Sequence, residues 1–114
     1  MSDCIFCKIV KGEIPAKVVY EDDKVIAFED IKPAAPIHIL IIPKQHIDCV
    51  SSINEQNADV LSDIFLAINK IAQKLGISER GFRVIVNNGA EGGQVVYHLH
   101  FHLLGGKSLG SLIV

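Results

Sequence analysis

His98, His100 and His102 stand at strict period two in Tyr97-His98-Leu99-His100-Phe101-His102-Leu103-Leu104. Successive strand residues face opposite sides, so a strand over 96–104 puts the three imidazoles on one face and Leu99, Phe101 and Leu103 on the other. One face packs and the other is chemical. Same-face strand neighbours lie about 6.6 Å apart at a rise of roughly 3.3 Å per residue, too far for one metal to gather all three. The three histidines therefore have different jobs. A lone histidine is most often a hydrogen-bonded core or surface residue, but three of the chain's five in one register mark a functional site. With an ordinary pKa near 6.5, imidazole is largely neutral at pH 7 and attacks without a separate base.

Two further stretches carry chemistry. Asn87-Asn88-Gly89-Ala90-Glu91-Gly92-Gly93-Gln94 lets backbone N–H groups approach an anion closely, and Gln94 adds a side-chain donor. Alone such a stretch usually marks a turn; beside the histidines it reads as a phosphate cradle. Cys4-x-x-Cys7 reads as metal or redox chemistry, because three cysteines, an odd number, argue against a disulfide framework. A thioredoxin-like motif needs a strand leading into the first cysteine, and only three residues precede Cys4, so metal is favoured. Cys49 has no evident partner and reads as a packed free thiol.

The elements that must position these residues follow from the hydrophobic pattern. Cys4 to Val10 suits a turn or short helix, closed by Gly12 and Pro15. Lys17–Glu21 and Val25–Glu29 read as a hairpin, and Ile37–Ile42 as a central strand ending at Pro43. From about Asn54 to Leu75 the period becomes helical, with Leu61, Ile64, Phe65, Ile68, Ile71, Ala72 and Leu75 on one stripe and Gly76 as the stop. Strands over 81–87 and 96–104 flank the glycine loop, Gly105-Gly106 ends the second, and a tail finishes at Leu112-Ile113-Val114. Five strands and one long helix without a βαβ rhythm predict an antiparallel α+β domain whose helix covers one sheet face.

Length and composition bound the rest. The 114 residues suit one domain over 1–114, and 49% hydrophobic with 21% charged residues excludes disorder. The same apolar share points to an oligomer. A net charge of −2 without like-charge runs argues against nucleic-acid polymers and membrane surfaces, and favours a small ligand. No stretch reaches the ~20 apolar residues of a membrane span, and the first residues do not begin a signal peptide. A cytoplasmic protein is expected.

His98-Leu99-His100-Phe101-His102-Leu103-Leu104 resembles the His-x-His-x-His-x-x signature, x being apolar, of the histidine-triad (HIT) superfamily of nucleotide-binding proteins and hydrolases. Cys4-Ile5-Phe6-Cys7-Lys8-Ile9, Ile14-Pro15-Ala16, Phe28-Glu29-Asp30-Ile31, Ala35-Pro36-Ile37-His38, Ile42-Pro43-Lys44-Gln45-His46-Ile47 and Gly92-Gly93-Gln94 are similar, in order, to its Hint branch. The resemblance implies a nucleoside phosphoramidate hydrolase that binds a purine mononucleotide, AMP or GMP. It also implies a homodimer joining two sheets, here through the helix and the strand at 82–87. Carried over by position, His100 is the nucleophile, His102 and Gln94 hold the α-phosphate, and Gly93 and Val95 are among the nucleotide-binding residues. Asn87 lies near ribose and phosphate, Asp30 binds ribose hydroxyls, Ile31 lines the base pocket, and His38 supports the triad.

Cys4, Cys7, His46 and His98 make a Cys2His2 set, closed to substrate and therefore structural if zinc occupies it, and some members of the superfamily resemble this arrangement. Two buried, apolar-like cysteines without metal are the alternative to this favoured reading. Val95 departs from the many Hint-branch members that carry a polar group there, and the tail from Lys107 resembles the family only weakly. Two rival functions stay open: a nucleotide-binding scaffold with negligible turnover, and a hydrolase whose histidines ligate a catalytic zinc.

Overall fold

Asp22 builds the first turn of the computed structural model, which describes residues 3–111. Its Oδ1 accepts the N–H groups of Lys24 and Val25 at 2.8 and 2.9 Å, and its Oδ2 accepts the Tyr20 hydroxyl at 2.7 Å. That turn joins β1 (Val18–Glu21) to β2 (Val25–Glu29) as the expected antiparallel hairpin. Before them, Cys4 caps the short helix α1 (Ile5–Val10), its Sγ accepting the N–H of Cys7.

The apolar run at 37–43 forms β3 (Ile37–Pro43), and after the helix come β4 (Arg83–Val86) and β5 (Phe101–Gly105). The five strands make one antiparallel sheet in the order β1-β2-β3-β5-β4. The α+β architecture expected from the pattern is present. β3 lies at its centre, buried on both faces, which is why it reads as continuously apolar.

The long helix is α2 (Val60–Lys74), six residues shorter at its start than its periodicity predicts. Asn54 Oδ1 accepts the N–H of Gln56 and of Asn57, while Asn57 Oδ1 accepts the N–H of Asn54. Those bonds hold 54–57 in a turn instead of a helix. At the other end Gly76 takes φ +76°, with Ile77 N–H reaching the Ala72 carbonyl at 2.9 Å and Gly76 N–H that of Gln73 at 3.2 Å. This is a Schellman stop at the predicted glycine.

Alternation splits the interior into two layers. Val25, Ala27, Ile39, Ile41, Leu99, Phe101 and Leu103 pack under α2 with Ile64, Ile68 and Ile71. Ile26, Phe28, Leu40 and Ile42 face the other way and are covered by Phe6 of α1. Full burial of such an aliphatic side chain stabilises by about 1.5–3 kcal/mol.

The strand expected over 96–104 begins only at Phe101. The N–H of Leu99 is taken by the carbonyl of Ile47 at 2.6 Å, outside the ladder, and the β3 pairing ends at Ile41 opposite Phe101. The alternation of side chains nevertheless continues upstream, with Leu99 in the α2 layer. The predicted tail at Leu112-Ile113-Val114 lies outside the described residues. Among the described residues no helix is long and apolar enough to cross a membrane.

Candidate functional site

β3 and β5 run side by side with Leu40 opposite His102 and His38 opposite Leu104. His38 and His102 are therefore diagonal neighbours on one sheet face, within reach of ring-to-ring contact. Their Nε2 and Nδ1 atoms stand 2.9 Å apart. The N–H of Ala34 donates to His38 Nδ1 at 3.0 Å, so neutral His38 carries its hydrogen on Nε2. It donates that hydrogen to His102 Nδ1, with an Asp30 carboxylate oxygen 3.4 Å away. His102 in turn holds its own hydrogen on Nε2. Burial, with His100 and His38 adding to it, pushes the His102 pKa down to about 4, so this neutral form persists at pH 7.

His100 is set the other way round. Its Nδ1 lies 2.8 Å from the carbonyl of His98, which can only accept, so Nδ1 bears the hydrogen and Nε2 keeps its lone pair. Phe6 presses edge-on to the His100 ring at 5.2 Å between centroids and 89°, and contacts Phe28 in the same manner. His102 also meets the His100 ring, with centroids 5.1 Å apart and planes at 63°. A held imidazole with a free Nε2 beside a neutral N–H donor suits attack on an electrophile that gathers negative charge.

His98 and His46 belong to a second cluster. His98 is completely buried; its Nε2–H donates to the Pro43 carbonyl at 2.8 Å, leaving Nδ1 free at 3.3 Å from Cys4 Sγ and 3.6 Å from Cys7 Sγ. His46 donates Nε2–H to Asp48 Oδ1 at 2.7 Å and turns Nδ1 to Cys7 Sγ at 3.2 Å. The four donor atoms of Cys4, Cys7, His46 and His98 all lie within 4.8 Å of one another, a cluster that can hold a metal ion. Burial is the main cause lowering the His98 pKa to about 4 and raising that of Cys7, a penalty on thiolate that a cation offsets.

The triad is thus divided, as the spacing predicts. Asp30, His38 and His102 also stand close enough to meet at one ion, and His100 belongs to neither group. The hydrogen on His38 Nε2 argues against ligation there, because Ala34 already occupies Nδ1. A catalytic metal held by the three triad histidines does not fit this geometry.

The glycine loop approaches from β4. Gln94 is buried: its Oε1 accepts the N–H of Gly89 at 2.9 Å, and its Nε2 donates to the carbonyls of Asp48 at 2.8 Å and Val96 at 3.1 Å. Through these bonds the Gln94 amide ties the loop to Asp48 and to Val96. Gly93 takes φ +85° and its N–H bonds the Ala90 carbonyl. Val95 is 87% exposed, and among the described residues its backbone N–H has no acceptor. Asn87 follows β4 directly, and Asn88 Oδ1 ties the loop to the N–H of Ser51 at 2.8 Å.

Asp30 borders this face beside His38, and Ile31, 94% exposed, presents an apolar side chain next to it. Phe6 and Asp48 are site residues that pattern reading missed. Phe6 lies inside Cys4-x-x-Cys7, and with the cysteines against His98 its ring rests on His100; Asp48 was signalled only by its place two residues after His46.

The HIT domain family model matches residues 11–109, and the chain belongs to the HIT family. A purine nucleoside phosphoramidase of Escherichia coli is 47% identical over 111 residues, covering 97% of this chain and 93% of that protein. A HIT family hydrolase from Clostridium thermocellum superposes with a TM-score of 0.97 at 55% identity, over 100% of this chain and 99% of the other. A histidine triad protein from Clostridium difficile gives 0.96 at 53%, over 98% and 97%.

Proposed function

We propose that the chain is a purine nucleoside phosphoramidate hydrolase acting through a nucleotidyl-histidine on His100. The observation that carries this is the commitment of His100 Nδ1–H to the His98 carbonyl, which leaves Nε2 as a directed nucleophile. Its likeness to the Escherichia coli phosphoramidase supports the substrate class.

In the first step Nε2 of His100 bonds to the α-phosphorus as the phosphorus–nitrogen bond to the amine breaks. The amine leaves with that electron pair and takes a proton from solvent. The His98 carbonyl holds the imidazole while it is cationic, and His102 Nε2–H with the free N–H of Val95 faces the charge that builds on the phosphoryl oxygens. Water then attacks phosphorus, loses its proton and releases the mononucleotide together with free His100. Asp30 takes ribose hydroxyls, Asn87 lies by ribose and phosphate, and exposed Ile31 forms an apolar wall for the purine of AMP or GMP. His38 is a positioning residue that sets the His102 tautomer.

The Cys2His2 cluster holds a structural zinc in this reading. With Zn–S near 2.3 Å and Zn–N about 2.0 Å, a tetrahedron has sulfur-to-nitrogen edges of roughly 3.5 Å. The separations of 3.2, 3.3 and 3.6 Å here fit it. Both histidines already have the outer partners that leave Nδ1 free for metal. When bound, zinc pins the N-terminal segment to the sheet and takes no part in bond making. Thiols in this role suit the cytoplasm.

A second copy of the chain covers β4, a sheet edge, and the exposed apolar surface of α2, where Leu66 and the half-exposed Phe65 stand. The reading is tested by steady-state hydrolysis of adenosine 5′-phosphoramidate. Wild type turns over, His100→Asn does not, and AMP binds both within about tenfold. Retention of a tenth of wild-type kcat by the variant would remove His100 from the role.

A further inference from the structure

We infer that the Cys4–Cys7–His46–His98 cluster positions both halves of the catalytic site, so that its occupancy sets kcat. This rests on the proposed metal and phosphoramidase readings. The first link runs through His98, whose ring is held between the cluster at Nδ1 and the Pro43 carbonyl at Nε2, and whose own carbonyl takes the Nδ1–H of His100. A shift of His98 is therefore a shift of the nucleophile. The second link runs through His46 and Asp48. Asp48 Oδ1 takes the Nε2–H of His46, while the Asp48 carbonyl takes an amide hydrogen of Gln94, whose Oε1 holds Gly89 at the head of the phosphate loop.

Two histidines of one cluster thus lead to two parts of the proposed site by short hydrogen-bonded paths. Phe6 adds a third contact, since α1 is anchored by Cys4 and Cys7 on either side of it and its ring rests on His100. A cluster emptied of metal frees the cysteines, and all three supports loosen together. Cys4, Cys7, His46 and Asp48 are positioning residues here, acting through His98, Phe6 and Gln94. Asp30 and Ile31, which would bind ribose and base, stand outside all three links, so the effect falls on kcat more than on KM.

The test compares zinc-loaded wild type with the same protein stripped by a chelator and then refilled. Zinc content, circular dichroism, the 15N signature of the His100 tautomer, kcat and KM are read on each. Stripping is expected to lower kcat at least tenfold with KM within threefold, to broaden or erase the protected His100 Nδ1–H signal, and to be reversed by zinc. Folded, stripped protein with kcat within twofold of the loaded form and an unchanged Nδ1–H signal overturns the inference. Wild type that takes up no zinc also overturns it, and places the failure in the metal reading; absence of turnover in any form, with the Nδ1–H signal still responding to zinc, places it in the phosphoramidase reading and upholds the positioning.

If stripping unfolds the chain, Asp48→Ala decides at one zinc per chain. The variant is expected to lose three- to tenfold in kcat, and Asp48→Asn, which keeps an Oδ1 acceptor, to restore it. Equal kcat for both Asp48 variants and wild type at full zinc overturns the second link and with it the joint claim.

Discussion

In the proposed mechanism, replacing Val95 by serine adds one hydrogen-bond donor beside the reacting phosphorus and disturbs little else. The side chain is 87% exposed, so the fold should tolerate the change within about 0.5 kcal/mol. In the wild type the only donor at this position is the backbone N–H, which is free to meet a phosphoryl oxygen. A serine hydroxyl reaches a different target, the bridging nitrogen whose charge develops as its bond to phosphorus breaks. A hydrogen bond to such charge is worth roughly 1.5–3 kcal/mol, or about 10- to 150-fold in rate. Exposure to solvent puts Val95→Ser near the lower end, about tenfold for an alkyl amine that leaves poorly. An aromatic amine, which needs less help, should gain about twofold. The assay is kcat/KM over a series of adenosine phosphoramidates, with single-turnover runs confirming that formation of the nucleotidyl-histidine limits the rate. Equal gains across the series, or none, would show that the backbone N–H or His102 already serves the leaving group.

The remaining predictions concern charge, metal and assembly. His102, its pKa held near 4 against an ordinary 6.5, resists protonation in the fold, so it contributes stability above pH 6.5 that disappears as pH falls from about 6.5 to about 4. Urea titrations at pH 7.5 and 4.5 should show a loss on the order of 2 kcal/mol from this group, and His102→Gln should show a smaller loss than wild type; equal losses contradict the assignment. Protein expressed with zinc should carry one equivalent per chain, and less than half an equivalent counts against the Cys2His2 site. Light scattering at micromolar concentration should give the mass of two chains, and Leu66→Asp, which places a charge on the apolar outer side of α2, should shift it toward one.

Much of this architecture was legible because alternation and helical period are properties of burial, and burial here is regular. β3 reads as central since both its faces are covered, and Gly76 ends α2 where a left-handed residue was needed. The errors fell where side chains compete with backbone pairing. Asn54 and Asn57 satisfy one another's N–H groups and delay the helix to Val60. Leu99 gives its N–H to Ile47, so the histidine strand starts late while its facing pattern survives. In the site, the period-two spacing parts the three histidines, with His98 in the Cys2His2 cluster, His102 beside His38 and His100 in neither group. Gln94 shows a different limit: donor chemistry is visible in a sequence, but which groups a buried amide meets depends on Asp48 and Val96 folding around it. Phe6 was hidden since an aromatic residue in a short helix carries no sign of which ring it will touch.

The central claim is that His100 Nε2 becomes covalently bonded to the α-phosphorus. Rapid quenching at neutral or alkaline pH, which spares an acid-labile phosphorus–nitrogen bond, followed by peptide mass spectrometry tests it directly with adenosine 5′-phosphoramidate. The account predicts an added adenylyl group on His100 and on no other histidine, formed and lost at rates that match turnover. Full turnover with no adduct on His100, or an adduct on His98 or His102 instead, would contradict it.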